Sequence, residues 1–591
     1  MRLSWEAYEA LLLAAACSIG LLSAVQAAPA DDLRKVLDDH WAWYLSNSPV
    51  QASDLGVHTY DMTLGDASLA GMDRQTREAQ ALVDRLQAID PKGLSAADRV
   101  NRGILLLDLR NQIEGDRFGQ RAILFTNREG WHISLMRLAE NVPLKTLADY
   151  QSYVARLKDY PRLNGQIIET TRAAIKGGYM QYCDSMIGFD KSIETHIVDD
   201  PAKSALAQAF AAKPAAISDA DWTALKSEGL AAIRDQVIPA LQQELAFYRA
   251  EYAPKCQKLP GALRQKDGQA YYAYRARLFT TTDMTPQQIH ELGMQEVARI
   301  RAEMDDVVRK SGFQGDRKAY VEFLRTDPQF YVKTPDDLLR YAGALAKRID
   351  GEMPKLFGRL PRLPYTVKPI PLDIAEGTTT AYYEPGSPET GRAGVYRVNT
   401  TKLDQRPLYE LVALTMHEAV PGHHHQIALQ QELDLPLFRR HAVFFTAFVE
   451  GWGLYSERLG LDVGLYETPA QDFGRLSYEM WRACRLVVDT GIHSMGWSRQ
   501  QAIDFMAANT ALSLHNITAE VDRYITWPGQ ALAYKVGELK IRALRTRAEA
   551  ALGPRFDIRR FHDAVLENGA VPLSVLETHI DEWIEAEKGR S

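Results

Sequence analysis

Cysteine is scarce in this chain, with four in 591 residues, and no two stand at the short spacing by which sulfur pairs hold zinc. Any bound metal is therefore expected on nitrogen and oxygen. Cationic excess is missing too: 69 Lys and Arg face 76 Asp and Glu, a formal net charge of −7, which argues against nucleic acid as the main partner. Beyond the first thirty residues no run approaches the roughly 20 apolar residues of a membrane span, so no transmembrane span is expected in the mature chain. Internal repeats and low-complexity tracts are absent as well. What remains has the composition of a large globular protein.

The amino terminus is the exception. Arg2 precedes an apolar run from Leu11 to Leu22, and Val25-Gln26-Ala27 places small residues at a cleavage spacing. This predicts a signal peptide over residues 1–28 and a periplasmic or secreted protein, although Glu6 and Glu9 dilute the positive charge of its start. A lipid anchor on Cys17 is disfavoured, because Ala14-Ala15-Ala16 precedes it rather than a leucine-led box. Of the other cysteines, Cys183 and Cys256 are the pair to expect if a disulfide forms, and Cys484 reads as a buried thiol.

Residues 31–252 carry helical periodicity almost throughout, as in Leu33, Val36, Leu37, Trp41, Tyr44 and Leu45. Ser95, Thr146, Thr285 and Thr334 have the composition of helix starts, and Pro239 predicts a kink. Residues 253–282, with Pro254, Pro260, Gly261 and Gly268, suggest a hinge between an amino-terminal lobe ending near 260 and a second lobe over about 270–591. Between 354 and 401 proline and glycine become dense, and the β-like runs 378–383 and 394–400 read as a hairpin. Tyr383, near the end of the first run, is a candidate to hold an extended peptide. The expected fold is mainly α: two helical lobes around a deep catalytic cleft, with a small β-hairpin or sheet at its edge.

Chemistry concentrates in Met416-His417-Glu418-Ala419-Val420-Pro421-Gly422-His423-His424-His425, which holds four of the fourteen histidines. A His-Glu pair with a second His one turn on is the zinc-peptidase arrangement, in which imidazoles hold the metal and Glu activates water. Here, however, the position four after His417 is Pro421. In a straight helix His424 would lie roughly 10 Å along the axis from His417, and His423 would point about 120° away. Pro421 forbids that straight helix, since its ring clashes with the His417 carbonyl, and Gly422 permits a compensating torsion. A local widening by two residues would bring in His423, with His424 as the fallback. Glu450, set among Phe444, Phe445, Phe448, Trp452 and Tyr455, needs a partner for its charge and is the expected third ligand. Glu457 lies two turns on, but Arg458 beside it suggests an ordinary ion pair.

His417-Glu418-Ala419-Val420-Pro421-Gly422-His423-His424, Glu450-Gly451-Trp452, and Arg523-Tyr524 with Pro528-Gly529-Gln530-Ala531 together resemble the bacterial family named domain of unknown function eight-eight-five. That family is similar to helical zinc peptidases such as angiotensin-converting enzyme, thimet oligopeptidase and carboxypeptidase Taq. The resemblance covers about residues 382–542. It implies a Gly before the second ligand, as in Gly422-His423, a third ligand in the Glu450 helix, and a transition-state donor in Tyr524. His493 is preferred over His515 as a second donor, and Arg523 and Gln530 are expected to hold the peptide.

The reading is a zinc-dependent hydrolase of oligopeptides, with Zn2+ on His417, His423 and Glu450 and with Glu418 as general base. A peptide- or metal-binding protein without turnover, or a zinc hydrolase of non-peptide amides, are the alternatives. Glu418 favours an enzyme, because a carrier has no use for it. The export reading is checked on protein from its native host: amino-terminal sequencing should begin at residue 28 or 29, and a soluble form retaining Met1 would contradict it.

Overall fold

The computed structural model describes residues 29–375, 379–388 and 391–590. The signal-peptide reading of 1–28, with Cys17, and the Thr378 start of the first β-like run lie outside the described residues. The fold is mainly α with one small sheet.

Helix α1 (Pro29–Asn47) realises the first apolar repeat, burying Leu33, Val36 and Leu45. It is followed by α2 (Leu69–Ala88), α3 (Ala96–Gly115) and α4 (Leu147–Gly177). The expected starts are caps: Ser95 Oγ accepts from the Asp98 N–H, and Thr146 forms a reciprocal capping box with Asp149. Pro239 does disturb its helix. It lacks an N–H to close the preceding turn, and that turn, Ile233–Val237, widens to π geometry.

Two large apolar cores result, and their division does not follow the chain as the sequence suggested. The fully buried residues of one core all lie between 125 and 252, with Val50, Leu64 and Ala67 packed against its edge. The other combines residues 33–109 with residues 297–584, so the first three helices pack with the later half. The proposed hinge is also more ordered than its prolines and glycines imply. It holds two short 3-10 turns and then α5 (Gly268–Thr280), and the Cys183–Cys256 disulfide anchors its start. Cys484 is a buried free thiol.

Helix α6 (Pro286–Lys310) opens with the Thr285–Gln288 capping box. Three strands follow: β1 (Tyr365–Pro369), β2 (Ala381–Glu384) and β3 (Gly394–Val398). The hairpin is β2 antiparallel to β3, with Tyr383 opposite Tyr396. β1, not anticipated, adds parallel to β3 on its other side, giving the order β1-β3-β2.

The remaining elements carry the site: α7 (Leu411–Glu418), α8 (His423–Glu432), α9 (Thr446–Asp462), α10 (Pro469–Ser494), α11 (Leu514–Thr526) and α12 (Ala533–Leu552). Helices α9 and α12 touch backbone to backbone. A Cβ on Gly451 would sit 2.5 Å from the Gly537 Cα, and one on Gly537 would sit 1.8 Å from the Ala447 carbonyl oxygen. Only glycine fits at that crossing. No described helix is long and apolar enough to cross a membrane.

Gly537→Ala is expected to destabilise the protein by about 1–3 kcal/mol through overpacking. Gly165→Ala, where a Cβ meets nothing within 4 Å in the interior of α4, should be neutral or stabilising. Urea midpoints of the two variants compare the predictions directly, and equal shifts would contradict them.

Candidate metal centre

His417 is the last residue but one of α7 and His423 begins α8, with the cis Val420–Pro421 bond in the break between them. The expected two-residue widening of one helix is therefore corrected: the helix stops and a second one starts. Two observations account for the break being held. The indole Nε1–H of Trp452 donates to the Pro421 carbonyl at 2.8 Å, and a Cβ on Gly422 would lie 1.9 Å from the His417 carbonyl oxygen. Across the break the two imidazoles meet nearly edge to face, with centroids 4.7 Å apart.

Glu450 completes the group. Its Oε2 is 3.4 Å from His417 Nε2 and 3.4 Å from His423 Nε2, and the three ligand atoms all lie within 4.8 Å of one another. A tetrahedral zinc ion with bonds of about 2.0–2.1 Å would space its ligand atoms about 3.3 Å apart. The donor set of two imidazoles and one carboxylate fits such an ion. Glu450 Oε2 is also a buried oxygen without a hydrogen-bond partner, which a cation would satisfy. Burial raises the Glu450 carboxyl pKa, but the His423 and His417 rings outweigh it and hold it well below the usual range.

The helix bearing Glu450 shapes the rest. Gly453, one turn on, leaves room for the His417 ring, which a Cβ there would approach to 2.8 Å. Glu457 is the residue sequence reasoning misassigned. Its partners are not Arg458 but His417 Nδ1, at 2.8 Å, and Arg482, at 3.2 Å. A carboxylate accepts only, so it places the imidazole proton on Nδ1 and turns the Nε2 lone pair inward. Burial lowers the His417 pKa, while Glu450 and Glu457 together bring it up to about 9. Glu418, 9 % exposed, makes no hydrogen bond among the described residues and is free to act on a ligand.

Other expected residues lie elsewhere. His424 turns to the sheet, its Nδ1 3.0 Å from the Tyr383 hydroxyl, and burial lowers its pKa to about 4. Tyr383 thus ties β2 to α8 rather than facing the His417–His423–Glu450 group. The Tyr524 hydroxyl receives Trp481 Nε1–H and Arg485 Nε–H and donates to Glu520 Oε2, each at 2.9 Å. Both His493 nitrogens are engaged by backbone, Nδ1 accepting from Ala262 N–H at 3.0 Å and Nε2 donating to the Tyr524 carbonyl at 2.9 Å. His515 is exposed in the first turn of α11. Neither Tyr524 nor His493 has a donor left over.

The phenol that does reach the centre is Tyr534, at the start of α12. Its ring lies nearly parallel to His417, with centroids 6.5 Å apart, and the Arg485 guanidinium sits over it at 4.3 Å. Burial and the nearby Glu450 charge push its pKa up, so it keeps its proton. Gln530 Nε2 approaches its hydroxyl at 3.5 Å, and Gln530 Oε1 accepts from Arg523 Nη1 at 2.7 Å. Arg523 and Gln530 therefore border the centre through Tyr534. The sequence signal that could have found it is the four-residue spacing from Gln530.

Metal content separates the two glutamates of α9. Glu450→Ala should abolish zinc binding, whereas Glu457→Gln should weaken it by about 10–100-fold, as for other residues that orient a ligand. Equal metal affinity in Glu457→Gln and the unsubstituted chain would remove Glu457 from the centre.

The family model described as "Bacterial protein of unknown function (DUF885)" matches residues 49–580. Among solved structures, the chain is similar to a protein described as a "putative lipoprotein" from Colwellia psychrerythraea. The identity is 26% with a TM-score of 0.87, over 95% of this chain and 99% of that one. A "putative lipoprotein of unknown function" from Shewanella oneidensis shares the fold at 20% identity and a TM-score of 0.68, over 93% and 99% of the two chains. No curated protein matches significantly. With a match running from residue 49 to residue 580, the chain belongs to the DUF885 family.

Proposed function

We propose that the protein is a zinc-dependent hydrolase that cleaves peptide bonds in oligopeptides, in the manner of the helical zinc peptidases its motifs resemble. The observation that carries this reading is the convergence of His417 Nε2, His423 Nε2 and Glu450 Oε2 beside an uncommitted Glu418. A zinc ion bound there supplies a Lewis acid that polarises a carbonyl and lowers the pKa of a water to about 7.

The residues of the chain do the rest. Glu418 takes the proton of the attacking water as its oxygen adds to the amide carbon, then returns that proton to the nitrogen as the C–N bond breaks. Tyr534, a protonated phenol beside His417, donates a hydrogen bond to the oxygen that gains charge. Gln530 and Arg523 steady Tyr534 from behind. Among the described residues β2 pairs on one side only, so its outer edge suits an extended peptide better than a small amide. A location outside the cytoplasm suits the Cys183–Cys256 disulfide and the lipoprotein description of the similar structures.

Glu418→Gln should retain zinc while cleavage falls by roughly 10²–10⁴-fold, and His423→Ala should lose zinc and cleavage together. Mass spectrometry of a peptide panel, with and without chelator, reads the activity, and elemental analysis reads the metal. Zinc kept in His423→Ala but lost in His424→Ala would move the second ligand.

Tyr534→Phe should lower kcat by roughly 10²–10³-fold with metal unchanged, the usual cost of one oxyanion donor. Tyr524→Phe should act mainly on stability. The reverse result would return the donor role to Tyr524.

A further inference from the structure

Between the two cores lies a cavity of 230 Å³ whose lining the chemistry above does not use. It is smaller than the roughly 300–1,000 Å³ of drug-sized sites, with room for one or two amino-acid residues. Gln120, Glu129, Gln181, Tyr271, Arg275 and Trp527 give it its chemistry.

Arg275 makes no ion pair among the described residues. Its Nε donates to the Pro528 carbonyl at 3.2 Å, and its guanidinium lies over Phe279 at 4.7 Å and Tyr271 at 5.7 Å. That leaves both Nη groups without a protein acceptor. Gln120 is 4 % exposed, yet its Oε1 has no hydrogen-bond partner, while its Nε2 is fixed on the Lys266 carbonyl at 3.3 Å. This leaves Gln120 Oε1 as an acceptor open to a donor from outside the protein. Gln181 Nε2 bridges the Phe125 and Thr526 carbonyls, at 2.9 and 3.0 Å, and so pins the two sides of the cavity together. Glu129 stands exposed on the rim, also without an ion pair.

We propose that this cavity binds a short peptide or amino acid by its free ends. The α-carboxylate pairs with Arg275, an amide N–H donates to Gln120 Oε1, and the α-ammonium faces Glu129. A guanidinium stacked on aromatic rings and fixed through Nε presents two parallel N–H groups, the geometry a carboxylate accepts. The cavity is linked to the metal centre. Pro528 accepts from Arg275, Gly529 N–H donates to Asp489 Oδ1 at 3.1 Å, and Gln530 then reaches Tyr534. The ligand is thus either the end of a substrate that runs to the centre or a released product. Only that second point rests on the peptidase reading.

Calorimetric titration of the Glu418→Gln chain with alanyl-alanine, its carboxamide and its N-acetyl derivative tests the proposal without turnover. The dipeptide should bind, and the carboxamide should bind roughly 10–100-fold more weakly, as expected for loss of a charge-assisted pair. Arg275→Gln should erase the difference between acid and amide, and Glu129→Gln the difference between free and acetylated amine. Thermal melts confirm that both variants fold. Equal affinity for acid and amide in the otherwise unsubstituted chain, or no binding of the dipeptide, overturns the proposal without recourse to any variant. Competition by a pentapeptide identifies the cavity as a substrate subsite, and its absence identifies a separate product site; both support carboxylate binding. If no peptide is cleaved while acid and amide remain distinguished, the peptidase reading falls and the cavity stands.

Discussion

The candidate centre depends on one packing constraint, the glycine contact between α9 and α12. Gly451 and Gly537 let two helix backbones meet where any side chain would collide with backbone atoms. That approach sets Glu450, beside Gly451, and Tyr534, one turn before Gly537, around the same imidazole. The same helix supplies the indole that holds Pro421, the space for His417 and the carboxylate that orients it. Eight consecutive residues, Glu450 to Glu457, thereby set ligand, orientation and helix break together. Their rigidity matters because metal bonds tolerate only a few tenths of an ångström.

Electrostatics reinforces this geometry. Glu457 lies between His417 and Arg482 with almost no exposure, so its charge is balanced on both sides. Glu450 instead meets no guanidinium among the described residues, and its Oε2 lies 3.4 Å from Nε2 of both His417 and His423. Two carboxylates two turns apart on one helix thus have opposite roles. The one set against Arg482 fixes a ring, and the one set between two Nε2 atoms is placed to share an ion. Glu450, rather than Glu457, marks the centre because its oxygen faces the Nε2 atoms of both imidazoles, where one ion could be shared.

Much of this was legible in residues that act locally. Caps at Ser95, Thr146 and Thr285 depend on three-residue spacings, and the hairpin on a run of turn residues, so both could be read directly. Pro421 announced an interruption, but a proline forbids one structure without choosing its replacement, so a widened helix and two helices looked alike. Glu457 was misread because sequence shows the adjacent Arg458 and hides Arg482, which lies on another helix. β1 escaped for a similar reason: its partner is β3, nearly thirty residues on, and its run ends in Pro369. The partners of α1 to α3 are illegible for the same reason, since these helices bury their apolar faces against helices some two hundred residues away or more.

Tyr524 and Tyr534 show most clearly what only the tertiary structure decides. Both are phenols near the carboxyl end of the chain, and the neighbouring Arg523 made Tyr524 the natural choice. The difference is availability. Tyr524 is fully buried, accepts two hydrogen bonds and donates its single proton to Glu520. To stabilise an oxyanion it would have to abandon a buried carboxylate to which Arg485 and Arg523 also donate, at a cost comparable with the gain. Tyr534 is partly exposed, meets only the weak approach of Gln530 at 3.5 Å, and faces His417. Its proton can be given to a new acceptor with little rearrangement, which is the condition for a preorganised donor. The Arg485, Arg523 and Glu520 cluster then has a different purpose. It packs Tyr524 as a wall behind Tyr534, with one guanidinium shared between the two rings. The arginine–tyrosine pair thus supports the site, while the phenol left free to meet a ligand comes from the next helix.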